Sequence, residues 1–241
     1  IYSVLQDEYR NYLSRLRRIG ANVLKESFMF YILDGYDELD ELFRIDNIKE
    51  ITGLQTSGNV WQKERFVFPI LDMRNVIMGY VGYDYESDFK YLIRTAQYVN
   101  KSKLFYNMQN LEHAYKQDVC IVSEGVFDSL RLNEVGFLNN VSLLGKRLSD
   151  FHRRVLNRFN LVIFIPDNDD EGMKASKYWS RGIDTKIAYI KLNNREIIKR
   201  KIVDGVMQEY KTTVKDIDDA LTSNKEDFIN KIRLLESKEL P

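Results

Sequence analysis

The sequence predicts an α/β protein: a parallel sheet with flanking helices, preceded by a smaller α+β N-terminal subdomain and followed by a short helical tail. Three observations carry this expectation. Beyond Asp118 short apolar runs alternate with helical patterns, the order of a parallel sheet covered on both faces. Upstream, two runs rich in β-branched and aromatic residues, 65–71 and 76–83, are joined by Asp72-Met73-Arg74-Asn75 and read as a hairpin. At the end, residues 225–235 repeat apolar side chains at helical spacing.

Taken in order, residues 4–19 place Leu5, Tyr9, Tyr12, Leu13 and Leu16 on one helical face, with Gly20 as a stop signal. The opposite face carries Arg10, Arg15, Arg17 and Arg18, either a solvated face or a nucleic-acid contact. An acidic stretch at 34–41, a short helical pattern at 46–52 and a loop at 53–58 follow. After the hairpin, residues 88–110 read as a partly irregular crossing towards a helix at 111–116. Strands are expected at 119–123, 141–144, 161–165 and 186–190. Helices are expected at 127–135, closed by Gly136, at 149–157, capped by Ser149, and at 172–180. Residues 191–213 read as loop-rich. The domain limits expected are 1–117 for a basic N-terminal platform, 118–222 for the parallel-sheet subdomain and 223–241 for the terminal helix.

Composition narrows the class. With 241 residues and 44% hydrophobic content the chain can bury a real core, as one large domain or two small ones. Its 36 basic and 36 acidic residues cancel, so any polyanion-binding surface must be local. The single cysteine, Cys120, lies in the run Val119-Cys120-Ile121-Val122, which excludes an internal disulfide and a cysteine-rich zinc module. A reducing cytoplasm is the expected setting. No stretch has the length and apolarity of a membrane span or secretory leader. The chain opens on Ile1 rather than methionine, which fits a trimmed piece of a longer product.

The chemistry is expected in two acidic clusters about forty residues apart. Glu124-Gly125-Val126-Phe127-Asp128 follows one strand and Asp167-Asn168-Asp169-Asp170-Glu171-Gly172 follows another. Both fall at the carboxyl ends of strands, where open α/β sheets bind ligands. One helical turn brings Glu124 and Asp128 toward the same side, and Asp167 and Asp169 share a face of an extended exit. Carboxylates so close repel one another unless protons or a cation compensate. Hard oxygen donors suit Mg2+ or Mn2+, and a pair of such ions would neutralise both the attacking and leaving oxygens of a phosphoryl displacement. Acidic residues also cap helices, so either cluster alone has a structural reading. His113 and His152 lack metal-ligand spacing.

These residues, with Gly145 between the clusters, resemble the TOPRIM fold shared by bacterial-type primases, type IA and II topoisomerases and some nucleases. The hairpin narrows the choice. Arg65-Phe66-Val67-Phe68-Pro69-Ile70-Leu71-Asp72 and Val76-Ile77-Met78-Gly79-Tyr80-Val81-Gly82 resemble the Arg-x-x-Phe-Pro-Ile-x-Asp and Val-Ile-Gly-Phe-x-Gly elements of the RNA-polymerase core of DnaG-type primases. Lys90-Tyr91-Leu92 and Asn100-Lys101-Ser102-Lys103 resemble its two basic motifs. The similarity spans about 51–221. Tyr83, Ile93, Ser102 and Ile217 stand where that family often has arginine, asparagine, glycine and proline, and the short N-terminal portion suggests a divergent, phage-encoded member.

The resemblance implies catalytic roles for Glu124, Asp128, Asp167 and Asp169. It implies divalent-metal ligation by Glu124, Asp167, Asp169, Asp216 and Asp218. Nucleotide or template binding falls to Arg65, Lys90, Tyr91, Lys101, Lys103, Gly145 and Lys146. Its substrates would be single-stranded DNA template and ribonucleoside triphosphates, its cofactors two or more Mg2+ or Mn2+ ions with no zinc, its further partner a replicative helicase, and its product a short RNA primer. A TOPRIM nuclease, using the same carboxylates to activate water, and a non-catalytic replication-associated binding protein are the other readings. Lys146, Arg147, Arg153, Arg154 and Arg158 add a basic segment near the acidic clusters that could follow a phosphate backbone or balance the acids.

Overall fold

In the computed structural model the described residues are 2–32, 55–56, 59–60, 64–97, 99–203 and 206–237. The acidic stretch at 34–41 and the short helix expected at 46–52 lie outside them, as does most of the loop expected at 53–58. The chain divides into two compact units, 1–109 and 110–241. No helix among the described residues is long and apolar enough to cross a membrane.

The first unit begins with helices α1 (Tyr2–Arg17) and α2 (Ala21–Glu26). Strands β1 (Phe30–Ile32), β4 (Arg65–Leu71), β5 (Ile77–Tyr83) and β6 (Tyr91–Thr95) form an antiparallel sheet in that order, and the short β2 (Gln55–Thr56) and β3 (Asn59–Val60) pair with each other. The expected hairpin is present, with Phe66 opposite Tyr83 and Ile70 opposite Gly79. Its turn is fixed by Asp72, whose carboxylate accepts the N–H groups of Arg74 and Val76 at 2.8 and 2.9 Å. Val67, Phe68 and Tyr80 are buried, each worth roughly 1.5–3 kcal/mol as a fully buried apolar side chain. Part of the basic face of α1 is spent within the unit. Arg10 pairs with Asp7 at 2.5 Å and donates to the Met29 carbonyl, and the Arg17 guanidinium lies 5.7 Å from the Tyr83 ring centre.

The crossing expected at 88–110 contains more order than its composition signals. β6 pairs with β5 from Tyr83↔Tyr91 to Gly79↔Thr95, and the two-residue strand β7 (Phe105–Tyr106) follows. As an edge strand, β6 has no buried residue, so it lacks the apolar contrast that marks a strand in a sequence.

In the second unit α3 (Leu111–Gln117) leads into strands β8 (Val119–Ser123), β9 (Asn140–Leu143), β10 (Leu161–Phe164) and β11 (Lys186–Tyr189). Within this unit they lie parallel in the order β11-β10-β8-β9. Helices α4 (Val126–Glu134), α5 (Asp150–Leu156) and α6 (Asp170–Trp179) form the crossovers, and Ser149 caps α5 by accepting the His152 N–H. Residue alternation assigns the two sheet faces. Val119, Ile121, Leu161 and Ile163 share a core with Ile217, Leu221, Phe228 and Ile232 of the terminal helix α7 (Ile217–Ser237), while Phe164 meets Trp179 of α6 at 5.4 Å between ring centres. The terminal helix starts earlier than its periodicity suggests, because non-helical Asn224 interrupts it.

The interval expected to be loop-rich, 191–213, is instead an antiparallel hairpin of β12 (Glu196–Val203) and β13 (Val206–Thr213), paired from Glu196↔Thr213 to Val203↔Val206. Its run of Lys and Arg masks the β-branched alternation. The Asp204-Gly205 pair between the strands is a hairpin signal in the sequence.

Candidate functional site

The parallel strands β8 and β10 lie side by side with Val122 opposite Phe164, so their carboxyl ends deliver the two acidic clusters to the same edge of the sheet. Glu124 leaves β8 and its Oε1 accepts the backbone N–H of Asp167 at 3.0 Å. Gly172 permits this approach. A Cβ there would stand 2.4 Å from the Asp167 carbonyl oxygen and 2.9 Å from Glu124 Oε1. Asp169 caps α6 by accepting the Gly172 N–H at 2.8 Å.

A third acidic segment joins these two. Asn168 donates its backbone N–H to the Lys215 carbonyl at 2.6 Å and its side-chain amide to the Val214 carbonyl at 3.1 Å, which ties the Asp167 loop to the entry of α7. Asp128, buried, makes the second tie: it accepts the Gly125 N–H at 3.0 Å and the Ile217 N–H at 3.1 Å. Asp216 accepts the Asp219 N–H at 2.8 Å.

Of the acids expected in this third segment, Asp216 joins the cluster, whereas Asp218 stands against Arg131 at 3.1 Å. Asp219, not singled out in the sequence, lies within electrostatic reach of Asp167, with its side chain only 4% exposed. Lys199 of β12 is its counter-ion, with Nζ 2.7 Å from Asp219 and 3.9 Å from Asp216. Neither Asn168 nor Lys199 has a type that advertises its role, and Lys199 is one of many lysines. The helical start at Asp216-Ile217-Asp218-Asp219 could have drawn attention to Asp219, since its fourth residue returns toward the first.

Burial and mutual repulsion dominate the electrostatics. Burial, then Glu124, Asp216, Asp169 and Asp219, push the Asp167 carboxyl up to about 8. Asp128 is also raised far above the usual carboxylate range, by burial and by Asp216 and Asp167, although two N–H groups oppose the rise. Burial and Asp169 raise Glu124, while Lys146 and the Asp167 N–H pull the other way. Burial and Asp216 raise Asp219 against the pull of Lys199.

The donor set fits a divalent cation in its chemistry: oxygen ligands, partly buried, whose charges repel. It does not form a ready cage. Among the described residues no three His, Cys, Asp or Glu side chains stand together as metal ligands. Glu124 and Asp169 each direct one oxygen to a backbone N–H, which leaves the other oxygen of each for a ligand. His113 is exposed, and His152 Nδ1 accepts the Ser149 N–H within the cap of α5.

The basic residues expected at the site fall into two groups. In the second unit, Gly145 and Lys146 are exposed on the loop after β9, and Lys146 is in electrostatic reach of Glu124. In the first unit, Arg65 donates to the carbonyls of Phe89 and Lys90 at 3.1 and 3.4 Å, which holds the segment preceding β6. Lys90, Lys101 and Lys103 are exposed, and the exposed Tyr91 ring lies 5.2 Å from that of Tyr83.

Comparison with known proteins agrees with this architecture. The family described as Toprim-like matches residues 121–221. A DNA primase of Campylobacter jejuni is 30% identical over 152 residues, covering 58% of this chain and 23% of the relative. A DNA primase of Rickettsia bellii is 26% identical over 243 residues, covering 95% of this chain and 38% of the relative. The chain thus spans well under half the length of these relatives. Among solved structures, the zinc-binding and RNA-polymerase domains of Aquifex aeolicus primase superpose with a TM-score of 0.72 at 20% identity, over 97% of this chain and 55% of that one. A DnaG primase catalytic domain bound to single-stranded DNA gives 0.65 at 22% identity, over 94% and 71%. In sequence and in fold the chain is similar to DnaG-type DNA primases, and its residues 121–221 match the Toprim-like family.

Proposed function

We propose that this chain is the catalytic core of a primase, joining ribonucleoside triphosphates into short RNA primers on a single-stranded DNA template and releasing pyrophosphate. The observation that carries the reading is that Glu124, Asp169, Asp216 and Asp219 all lie within electrostatic reach of Asp167 at the carboxyl edge of a parallel sheet, on a DnaG-type fold. Bound Mg2+ or Mn2+ would lower the pKa of the primer 3′-hydroxyl and neutralise charge on the leaving pyrophosphate.

Glu124, Asp167, Asp169 and Asp216 would hold the ions, and Asp218 would serve only after leaving Arg131. Asp128 is a positioning residue, since its two N–H partners belong to the first and third acidic segments. Lys199 holds Asp216 and Asp219 near one another before any ion binds. Arg65 shapes the segment that presents Lys90 and Tyr91; with Lys101, Lys103, Gly145 and Lys146 these supply phosphate and base contacts to template or nucleotide. The DNA-bound relative supports a single-stranded template as partner. A replicative helicase is the further partner proposed for the longer protein.

Labelled ribonucleoside triphosphates, single-stranded DNA and Mg2+ or Mn2+ test the function in one reaction. Oligoribonucleotides support the primase reading. Shortened DNA would identify a nuclease, and no product from an ion-saturated chain would favour a binding role.

A further inference from the structure

We infer that a basic cavity beside Lys146 is a second strand-binding subsite, holding the sugar-phosphate backbone of single-stranded nucleic acid with a base against Tyr178. The cavity encloses about 610 Å3 and is lined by Lys146, Arg147, Arg153, Lys174, Tyr178 and Arg181, with an apolar floor. No carboxylate is among the described residues lining it. Asp150 stands at its margin, 3.8 Å from Arg153, with its side chain 93% exposed. Five cations around one opening repel each other, and an anion with several charges relieves that repulsion.

The walls are built rather than incidental. Arg153 donates to the carbonyls of Leu148 and Arg181 at 2.6 and 2.5 Å, joining the loop after β9 to the turn after α6. Trp179 Nε1 donates to the Lys146 carbonyl at 3.2 Å, fixing the same loop from the helix side. Gly182 has φ +72°, and a Cβ there would stand 2.9 Å from Arg153 Cδ, so this turn is shaped around that side chain. Arg153 therefore acts as frame, leaving Arg147, Lys174 and Arg181 as the groups that meet phosphates.

Size and aromatic content select the ligand. A space of this volume exceeds a single phosphate, and the Tyr178 ring, 55% exposed and capped by the Arg181 guanidinium at 4.4 Å, offers a base a stacking face. An inorganic polyphosphate has no use for that ring. Lys146, which also acts on Glu124, places the cavity next to the carboxylate cluster. The choice of a nucleic-acid strand rests on the polymerase reading; the anion site does not.

The test uses the full chain, a fluorescein-labelled oligothymidylate and a chelator, with anisotropy read across a salt series and no nucleotide present. Arg147→Ala/Lys174→Ala should lower the slope of log K against log salt by about 1.4 and weaken binding about 25-fold at ~0.1 M salt, from two lost contacts of ~0.7 each. Tyr178→Ala should weaken binding by about fivefold or more through lost stacking. The charge-matched Lys177→Ala/Arg158→Ala variant, altered outside the cavity lining, should keep most of the slope, and thermal melts confirm folding of each variant. A parental slope in Arg147→Ala/Lys174→Ala, or an equal loss in the control, overturns the subsite. So does calorimetry in which that variant loses inorganic triphosphate but retains the oligonucleotide. Primer synthesis is scored separately: a parental chain that never synthesises sinks the polymerase reading and leaves the strand-binding result standing.

Discussion

Raising the pH from about 5 to about 8 in a chelator should destabilise the protein, and replacing Asp167 by asparagine should remove much of that loss. The carboxyl of Asp167 moves from an ordinary 3.8 to about 8 on folding. Its folded pKa is raised, so between those values the native state binds the proton more tightly than the unfolded chain does. Stability is therefore greatest below the unfolded value and falls as the pH rises toward the folded one. Over the three units from pH ~5 to ~8 an isolated group would lose roughly 4 kcal/mol at ~1.4 kcal/mol per unit. Asp167 shares protons with Asp128 and their neighbours and is partly solvated, so about half, or ~2 kcal/mol, is expected. That corresponds to a fall in Tm of about 4–8 °C. The raised Asp128, Glu124 and Asp219 act in the same direction. Lys199 does not enter, because its pKa is raised from a value already above this range. Asp167→Asn is neutral throughout, so its Tm should vary less with pH and exceed the parental value at pH ~8. Circular dichroism melts across the pH range supply the measurement. A parental Tm that is flat or rises between pH ~5 and ~8 would refute the electrostatic reasoning.

Other outcomes follow from the same contacts. Mg2+ added at pH ~8 should raise the parental Tm steadily with the logarithm of its concentration above Kd and raise that of Asp167→Asn much less, read as ligand-dependent melting. Gly172→Ala, forcing a methyl against the Asp167 carbonyl and Glu124, should cost about 1–3 kcal/mol in denaturant unfolding and lower synthesis more than a surface glycine change does. Lys199→Met leaves Asp219 without its 2.7 Å counter-ion and should lower stability by about 1–3 kcal/mol, with Mg2+ restoring part of it; a variant that melts with the parent in chelator contradicts that role. Asn168→Ala should weaken metal-dependent activity while leaving single-stranded DNA binding intact, since its bonds join two acidic loops rather than reach a strand.

What the sequence makes legible here follows physical contrast. Strands buried on both faces, such as 119–123 and 161–164, read as continuous apolar runs whose ends are legible nearly to the residue. The edge strand at 91–95 and the charged hairpin at 196–213 have no such contrast, so pairing with the adjacent strand, not side-chain pattern, decides them. The same distinction governs the site. Glu124, Asp167 and Asp169 are visible because acidic residues after apolar strands are chemically conspicuous. Asp219 and Lys199 enter through a helix turn and a hairpin register that position along the chain does not reveal. Asp128 is conspicuous in the sequence as an acidic residue, whereas its two backbone N–H partners, Gly125 and the distant Ile217, are visible only in the fold.

The most direct measurement of the central claim is template dependence of the product. The parental chain and Glu124→Ala, both verified as folded, are given all four ribonucleoside triphosphates, one labelled at a time, with homopolymeric or mixed single-stranded DNA and Mg2+ or Mn2+. The parental reaction is expected to yield oligoribonucleotides whose composition follows the template, and Glu124→Ala none above background. Products that ignore the template, or synthesis by Glu124→Ala at the parental rate, would contradict the claim.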